Sequence, residues 1–465
     1  MTATRPFKGD NRLLLGIILG VITFWLFAQS VLNVVPTLQE SFSTNAGTIN
    51  IAVSLTALFS GLFVVGAGSI ADKIGRVKMT YIGLVLSVVG SLLIIVSNLP
   101  ALLIIGRIIQ GFSAACIMPA TLAIVNEYYQ GKDRQRALSY WSIGSWGGSG
   151  ITSYFGGLMA TFVGWRWIFI VSIIVAILAM ILMRHTPETK ASQDSTVRNH
   201  KFDVVGLIVL AIMMLSLNVI ITQTSHYGFL SPLILSLTVV FIVSVIFFVI
   251  YEKKLKNPLI DFGLFKNKGY SGAVISNFAL NAVAGTLIVA NTYFQQGLGF
   301  TSNQSGMMSI TYLITVLIMI RVGEKIMQKL GAKRPMLYGS LLNAAGMLLI
   351  ALTFLPTGLY VVSSVMGYLL FGLGLGMYAT PSTDTAVTSA PDNKVGTASG
   401  IYKMASSLGN AFGIAISGTI YAVVSESVNL QVGAMAGIGF NILLGLIAFV
   451  AVLILVPKSQ GETYY

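Results

Sequence analysis

The sequence contains very few cysteines and very few charged residues. Cys116 is the single cysteine among 465 residues, so the chain can form neither an internal disulfide bond nor a cysteine-based zinc site. Charged residues make up 9% of the chain, whereas soluble proteins contain roughly a quarter. Hydrophobic residues reach 55% and the mean hydropathy is +0.84. This composition excludes a soluble globular protein and indicates an integral membrane protein.

Sequence signatures of enzymatic chemistry are also missing. The chain has no Gly-x-x-x-x-Gly-Lys-Ser/Thr phosphate loop, no His-Glu-x-x-His zinc motif and no Gly-x-Ser-x-Gly nucleophile elbow. Gly372, Gly374 and Gly376 imitate part of a dinucleotide fingerprint, but they lie in an apolar run rather than in a strand-helix-strand unit. We therefore expect no enzyme, no cofactor and no metal site, and any pumping must use an ion gradient.

Apolar runs of about 17 to 25 residues predict fourteen transmembrane helices in an all-helical protein. Six runs come first, two follow a polar segment at 185–201, and six more complete the chain. This order predicts an N-terminal bundle (1–184), a linker with two inserted helices (185–252) and a C-terminal bundle (253–465). The first run is too long for a signal-peptide core, so we expect it to be retained. The predicted spans lie near residues 13–35, 48–70, 79–97, 100–124, 137–161, 167–183, 204–222, 230–250, 271–293, 304–322, 335–355, 358–380, 397–423 and 433–456.

The basic residues are distributed asymmetrically between the two sides of the predicted membrane domain. Of the 28 Lys and Arg residues, this topology places 26 at the N-terminus, in the loops on the same side or in the C-terminal tail. The two exceptions are Arg107, within span four, and Arg166, on the outer side. Because basic loops stay in the cytoplasm, both termini are expected there. The net charge of +13 then reflects contact with anionic lipid rather than a nucleic-acid site.

Arg107 is the only basic residue that this topology places inside a span. A lone arginine in a membrane helix costs roughly 2.5 to 3.5 kcal/mol on insertion scales, so its side chain should face protein or water. Gln110 follows one turn later and offers a polar partner. Two interpretations stay open: Arg107 joins helices through backbone carbonyls, or it lines a transport path.

Polar side chains recur at helical spacing in the first span of each six-helix half. Trp25, Gln29 and Asn33 follow one another at steps of four, which places them on one face of an α-helix. Asn277 and Asn281 repeat the arrangement in span nine. In hydrocarbon such residues must face either another helix or a water-filled cavity. Their occurrence in both halves favours the cavity.

Carboxylates are absent from the middle of every predicted span. All fifteen Asp and Glu residues lie at span ends or in loops, although a proton-coupled carrier normally needs a titratable group within the membrane. Asp384, Asp72 and Glu40 lie nearest to the span ends, and with Arg107 they are the candidates for proton coupling. For each carboxylate, a helix cap or a surface ion pair is the alternative.

The charged loop from Gly68 to Lys78 lies between spans two and three. Its three basic residues indicate the cytoplasmic side. Asp72 is expected to accept hydrogen bonds from the amides that open span thirteen near Val395, because a helix N-terminus favours negative charge. Arg76 is expected to pair with an acid below spans four and five. The predicted cytoplasmic gate consists of Gly68, Asp72, Gly75, Arg76, Glu127 and Asp133.

Three motifs in the N-terminal half resemble those of the major facilitator superfamily. The segment Gly68 to Lys78 resembles the family's loop between helices two and three. Ile104 to Gly111 resembles its fourth-helix motif, and Gly144 to Gly157 resembles the glycine-rich fifth-helix motif of its antiporters. Gly164 to Phe169 and Asn257 to Phe265 are typical of the fourteen-helix drug:proton antiporter branch.

Within that branch, the chain resembles quinolone-type multidrug efflux pumps of Gram-positive bacteria, in stretches such as Val21 to Ser30 and Tyr378 to Ala386. The resemblance implies two six-helix bundles that rock around a central cavity, in a monomeric carrier of the cell membrane. It implies export of amphipathic drugs, such as quinolones, dyes and biocides, in exchange for protons. The residues expected along the path are Trp25, Gln29, Asn33, Arg107, Gln110, Asn277, Asn281 and Tyr378.

Two other functions remain open at this stage. Arg107 facing an anionic substrate would suit a carrier for one metabolite or osmolyte, and a non-transporting sensor or scaffold is the other alternative. Many fourteen-helix relatives carry an aspartate in the first helix, where this chain has Gln29 and Asn33. Selective recognition of dications is therefore not expected.

Overall fold

The computed structural model describes residues 7–130, 133, 137, 140, 141, 144, 148–190, 202–391 and 395–458. Within these ranges, only the backbone is described at 69, 72, 126, 148–150, 153, 225, 387, 395–397 and 399. The regular secondary structure of the described residues is helical. This agrees with the predicted fold class, because a chain crossing hydrocarbon must satisfy its backbone hydrogen bonds within each segment.

The described helices follow one another in four groups along the chain. The first group comprises α1 (Asn11–Ile22), a π-helical turn (Thr23–Phe27), a 3-10 helix (Ala28–Asn33) and α2 (Val35–Phe42). The second comprises α3 (Ala46–Ile74), α4 (Arg76–Ile95), α5 (Pro100–Tyr128), α6 (Gly148–Phe162) and α7 (Arg166–Met183). The third is the inserted pair, α8 (Val204–Tyr227) and α9 (Pro232–Lys254). The last comprises a 3-10 helix (Phe262–Lys266), α10 (Lys268–Ala282), α11 (Gly285–Leu298), α12 (Ser302–Met308), α13 (Ile310–Leu330), α14 (Lys333–Ile350), α15 (Thr357–Thr388), α16 (Val395–Ser427) and α17 (Leu430–Leu455).

Twelve segments of the described chain are long and apolar enough to cross a membrane. They establish a multi-pass membrane protein but fall two short of the predicted fourteen. The predicted span 137–161 lies partly outside the described residues. The predicted span 335–355 corresponds to α14, whose first turn carries Lys333 and Arg334, so the apolar part of that helix is short.

The first span is not a continuous α-helix. After α1 the chain forms one π-helical turn and then a 3-10 helix. Side chains four residues apart diverge by about 40° on an α-helix but by about 120° on a 3-10 helix. Gln29 and Asn33 both lie in the 3-10 helix, so the prediction that these two residues share one helical face is wrong; Trp25 lies in the preceding π-helical turn. Gln29 and Asn33 instead point in different directions and meet different surroundings.

Helices α3 and α16 join the N-terminal helices (11–183) to the C-terminal helices (268–455). Their contact is close because small residues face it. A Cβ atom added to Gly61 would lie 2.9 Å from the side chain of Ser407, and one on Gly418 would lie 2.8 Å from that of Asn50. Bulkier residues at these positions would separate the helices.

The inserted pair packs against this junction through one of its members. Leu207 and Leu210 of α8 share a buried apolar cluster with Leu62 of α3 and Met404 of α16. The other helix, α9, has only 11% of its apolar window buried. It packs mainly against α8, and more than half of its residues are exposed, as expected for a helix at the lipid boundary.

Candidate functional site

Arg107 lies completely buried between α5, α3 and the first span. Its Nε atom donates to the carbonyl oxygen of Ala52 at 2.9 Å, and Nη2 donates to that of Val53 at 3.2 Å. Nη1 donates to the carbonyl of Ala28 and, at 2.9 Å, to Oε1 of Gln110. Within the described ranges, no ion pair involves this arginine. The contacts match the interpretation in which Arg107 joins helices through backbone carbonyls, and its role in transport stays a prediction.

A close approach of α5 and α3 makes these contacts possible. A Cβ atom on Gly111 would lie 2.6 Å from the carbonyl oxygen of Thr56, so only glycine allows the two backbones to come this near. Thr56 in turn donates its hydroxyl hydrogen to the carbonyl of Arg107 at 3.0 Å. Gln110, the other predicted polar residue of this helix, donates to Ser91 Oγ at 3.4 Å.

Gln29 has an unsatisfied amide in the protein interior. Its side chain is 3% exposed, and neither Oε1 nor Nε2 has a hydrogen-bond partner among the described residues. The indole Nε1 of Trp25 is also buried and unpaired. Each buried polar group without a partner costs about 1 to 3 kcal/mol. Gln29 and Trp25 are therefore the predicted path residues whose polar atoms remain available to water or to a ligand.

Asn33 connects the N-terminal helices with the C-terminal helices. It is fully buried, and its Nδ2 donates to the carbonyl oxygen of Ser302 at 3.0 Å. Nε2 of Gln295 donates back to the Asn33 carbonyl at 2.9 Å. A Cβ atom on Gly157 would lie 2.0 Å from the Ser302 carbonyl oxygen, so α6 reaches this contact only through glycine. The structure thus places Asn33 in an interhelical contact rather than beside Gln29.

The predicted asparagines of span nine are bonded to each other and to α16. Asn277 Nδ2 donates to the carbonyl of Tyr402 at 3.0 Å and to Ser406 Oγ at 2.6 Å. Asn281 Nδ2 donates to Asn277 Oδ1 at 2.9 Å. These bonds attach α10 to α16. Asn281 is half-buried, whereas Asn277 is buried.

Tyr378 belongs to a chain of hydroxyl groups that crosses three helices. Its Oη lies 2.5 Å from Ser276 Oγ of α10 and accepts from Ser382 Oγ at 2.9 Å. Ser382 also lies 2.7 Å from Tyr402 Oη of α16. The Tyr378 side chain is 2% exposed, so its hydroxyl supports the packing of α10, α15 and α16.

Lys403 corrects the charge count made from the sequence. It lies within the apolar run 400–427 of α16, so Arg107 is not the only basic residue inside a span, and the count of cytoplasmic cations is too high. Its Nζ lies 5.6 Å from the ring centroid of Trp141. The same hydropathy argument that selects Arg107 applies to Lys403, because the predicted span 397–423 contains it.

Arg76 of the predicted cytoplasmic gate pairs with Glu127, with Nη1 and Oε2 3.6 Å apart. This is one of the two pairings that the sequence suggests; the other candidate partner, Asp133, is exposed. The side chain of Asp72 lies outside the described residues. Gly68 faces Pro119 of α5, where an added Cβ atom would lie 3.4 Å away.

Glu188 occupies the centre of this loop, although it is not among the predicted gate residues. Its two carboxylate oxygens accept from the amides of Val77 and Lys78, both at 2.9 Å, at the start of α4. Gly75 precedes this turn with a φ of 127°, a conformation that favours glycine. The carboxylate therefore stabilises the helix N-terminus that the loop presents.

Of the remaining proton-coupling candidates, Asp384 and Glu40 have exposed side chains. A pair of carboxylates lies elsewhere, half-buried Asp203 at the start of α8 and buried Glu252 at the end of α9. Oδ2 of Asp203 and Oε1 of Glu252 have no donor among the described residues. They lie 1.9 and 2.3 Å from the position that a Cβ atom on Gly206 would occupy. Both oxygens therefore face the backbone of Gly206 without a hydrogen-bond donor among the described residues.

A multi-pass helical bundle with a buried arginine and unpaired polar groups in its interior is typical of a membrane carrier. A family model for the Major Facilitator Superfamily matches residues 17–414 and 273–463. The chain belongs to the Major Facilitator Superfamily and is a transporter rather than an enzyme.

Curated relatives match the chain over nearly its whole length. It is 62% identical to the Quinolone resistance protein NorB of Staphylococcus aureus strain MRSA252 over 457 residues, which cover 98% of both chains. The NorB protein of Staphylococcus aureus strain COL shows the same identity and coverage.

Solved structures confirm the fold family. The crystal structure of a D-xylose-proton symporter matches with a TM-score of 0.67 and 16% identity, covering 97% of this chain and 99% of that one. An auto-inhibited POT family peptide transporter matches with a TM-score of 0.64 and 15% identity, covering 95% and 94%. At such low identity these similarities concern the fold alone.

Proposed function

We propose that this protein is a multidrug efflux antiporter that exports amphipathic drugs, such as quinolones, dyes and biocides, in exchange for protons. The observation that carries the proposal is the 62% identity to a quinolone resistance protein over 98% of both chains. Secondary active transport by alternating access follows from the family, whose members rock two bundles around a central site.

The unsatisfied groups of the first span support recognition of varied substrates. Gln29 and Trp25 offer hydrogen-bonding atoms without a fixed charge. A pocket that combines such atoms with apolar surface binds ligands by shape and a few hydrogen bonds. We place the substrate beside these two residues, with Arg107, Gln110, Asn277, Asn281 and Tyr378 holding the surrounding helices in position.

The proposed topology has fourteen spans in a six, two, six arrangement, with α8 and α9 as the inserted pair. Both termini then lie in the cytoplasm, and the carrier acts as a monomer in the cell membrane. The loop from Gly68 to Lys78 closes the inner side in this scheme, and the ion pair between Arg76 and Glu127 attaches the loop to α5.

Arg107 and three carboxylates at the span ends are the candidates for proton coupling in this mechanism. Arg107 remains a candidate because it is buried without an acidic partner among the described residues. Its uncompensated charge would therefore respond to the protonation of a nearby water or substrate. Asp384, Asp72 and Glu40 remain candidates at the span ends, where they would exchange protons with bulk water.

Drug accumulation in inside-out membrane vesicles tests the proposal. An antiporter accumulates ethidium or norfloxacin when the vesicle interior is acidic, and a protonophore abolishes the accumulation. Uptake of a single metabolite without drug uptake would instead support the narrower carrier. If vesicles carrying the protein take up neither class, the transport proposal is wrong and the sensor or scaffold alternative gains support.

A further inference from the structure

Lys403 of α16 and Trp141 of the N-terminal helices face each other, with Nζ 5.6 Å from the ring centroid, in the half of the membrane domain that carries the loop Gly68 to Lys78. Lys403 lies one turn after Gly400, which faces Val65 near the end of α3. Trp141 belongs to the N-terminal helices, and its Nε1 donates to Thr121 Oγ1 of α5 at 3.0 Å. The pair therefore joins the two groups of helices at the end from which a substrate for export would enter.

The charge of Lys403 is only weakly compensated. In the parts of the chain that the structure describes, no ion pair includes Lys403, and its ammonium instead lies 5.6 Å from the centroid of the Trp141 ring. The face of an indole attracts a cation but accepts no strong hydrogen bond from it. An ammonium carries three donors. The site thus retains positive charge and hydrogen-bond donors for a further group.

A polar face on α16 continues from Lys403 towards the other side of the membrane. Ser406 and Asn410 follow at helical spacing, three and seven residues later. Ser406 accepts from Asn277, whereas Oδ1 of Asn410 is buried and has no donor among the described residues. A ligand bound at Lys403 therefore has a second polar contact two turns along the same helix.

We propose that Lys403 and Trp141 form the binding site for the carboxylate and the adjoining aromatic ring of an anionic or zwitterionic substrate. The carboxylate accepts from Lys403 Nζ, and the ring packs against the Trp141 indole. One ammonium matches a monoanion, whereas phosphate groups are usually held by arginine clusters or several amides. The inference rests on the proposed export of amphipathic drugs and specifies which of them need this site.

Binding measurements on the full chain in lipid nanodiscs test the site directly. Norfloxacin and its ethyl ester share the same rings and the same amine, but only the acid carries a carboxylate. We expect the native protein to bind the acid about tenfold more tightly than the ester, as a charge-assisted hydrogen bond allows. Lys403→Gln should abolish this difference without weakening ester binding, and Lys403→Arg should retain it.

Trp141→Ala provides the second half of the test. It should weaken binding of both compounds, because both lose the ring contact, while the preference for the acid remains. Lys329→Gln, on an exposed position of α13, is the matched control and should behave like the native protein. Melting temperatures establish that each variant is folded.

Two results would overturn the inference. One is an unchanged acid preference in Lys403→Gln; the other is an equal loss of acid and ester binding in that variant, which would indicate a structural role. Vesicle uptake separates the two proposals. If the native protein prefers the acid but transports no drug, the proposed efflux function is wrong and the proposed binding site is supported. If drug uptake is proton-driven but Lys403→Gln leaves the preference for the acid intact, the proposed binding site is wrong and the proposed efflux function is supported.

Discussion

Arg107 donates its Nε hydrogen to the carbonyl oxygen of Ala52 at 2.9 Å, and this bond ties α5 to α3 in the protein interior. A buried guanidinium is thus held by backbone oxygens and by Gln110 rather than by a carboxylate of the described chain. The positive charge of Arg107 and its hydrogen-bond donors should contribute differently to transport and to stability. Variants that remove both, or that keep only the charge, can separate the two contributions.

Arg107→Ala should abolish drug efflux and also destabilise the protein by at least about 2 kcal/mol, because several buried acceptors lose their donor. Arg107→Lys keeps the charge but cannot reach all of these oxygens, so it should recover part of the stability. Efflux and melting temperature are measured together. Arg321→Ala is the control, since its surface pair with Glu324 contributes little. Normal efflux by Arg107→Ala would show that Arg107 is not required for transport.

Gln29→Leu should weaken drug binding without lowering stability. The Gln29 amide has no partner to lose among the described residues, and its replacement by an apolar side chain relieves an unsatisfied polar group, which stabilises by about 1 kcal/mol. Gln110→Leu is the matched comparison, because that amide bonds to Arg107 and Ser91 and its loss should lower the melting temperature. A large loss of stability in Gln29→Leu would show that its amide is structural.

Gly157→Ala should force apart the contact between the first span and α12. The added methyl would lie 2.0 Å from the Ser302 carbonyl oxygen and 2.5 Å from Asn33 Nδ2. We expect a cysteine at Ser30, introduced after replacing Cys116 with alanine, to react faster with an impermeant maleimide. Gly358→Ala is the control, since nothing lies within 4 Å of its added methyl. Equal labelling rates in both variants would contradict the prediction.

Glu252→Gln should preserve or raise the melting temperature. The amide would offer a hydrogen-bond donor to the unpaired Oδ2 of Asp203 and would remove one of two neighbouring carboxylates. Gly206→Ala should be destabilising by about 1 to 3 kcal/mol, because its methyl would overlap both carboxylates. Glu324→Gln, on the exposed side of α13, tests for a nonspecific effect of removing a carboxylate. A marked fall in melting temperature for Glu252→Gln would show that the amide does not satisfy the unpaired oxygen of Asp203.

Glu188→Ala should loosen the cytoplasmic loop by about 1 to 2 kcal/mol, since the amides of Val77 and Lys78 lose their acceptor. Glu188→Gln should retain roughly half of this stabilisation, because it can still accept one hydrogen bond but has no charge for the helix N-terminus. Proteolysis of the loop in inverted vesicles measures the effect. Unchanged cleavage in both variants would indicate that the carboxylate is dispensable.

Much of the fold can be predicted from the sequence, because hydrocarbon leaves helices as the only option for a long apolar run. The buried position of Arg107 and the pairing of Arg76 with Glu127 also agree with expectations made from charge and spacing. Lys403 could have been found in the same way, since it lies within a predicted span.

Other features depend on contacts between distant segments and leave no local pattern. Glu188 reaches the start of α4 from more than 100 residues along the chain, so neither end of the contact predicts the other. The π-helical and 3-10 windings of the first span likewise have no residue signature such as an internal proline or glycine. They depend on how Asn33, Ser30 and Ala28 meet their neighbours.

The unusual winding of the first span links two events that a straight helix would keep apart. If residues 23–33 rewound into an α-helix, Gln29 and Asn33 would turn by different amounts, from about 120° apart to about 40° apart. Asn33 cannot then keep its bond to Ser302 while Gln29 keeps its present direction. Release of the interhelical contact and reorientation of the unpaired amide would thus occur together, as a mechanical coupling contained in eleven residues.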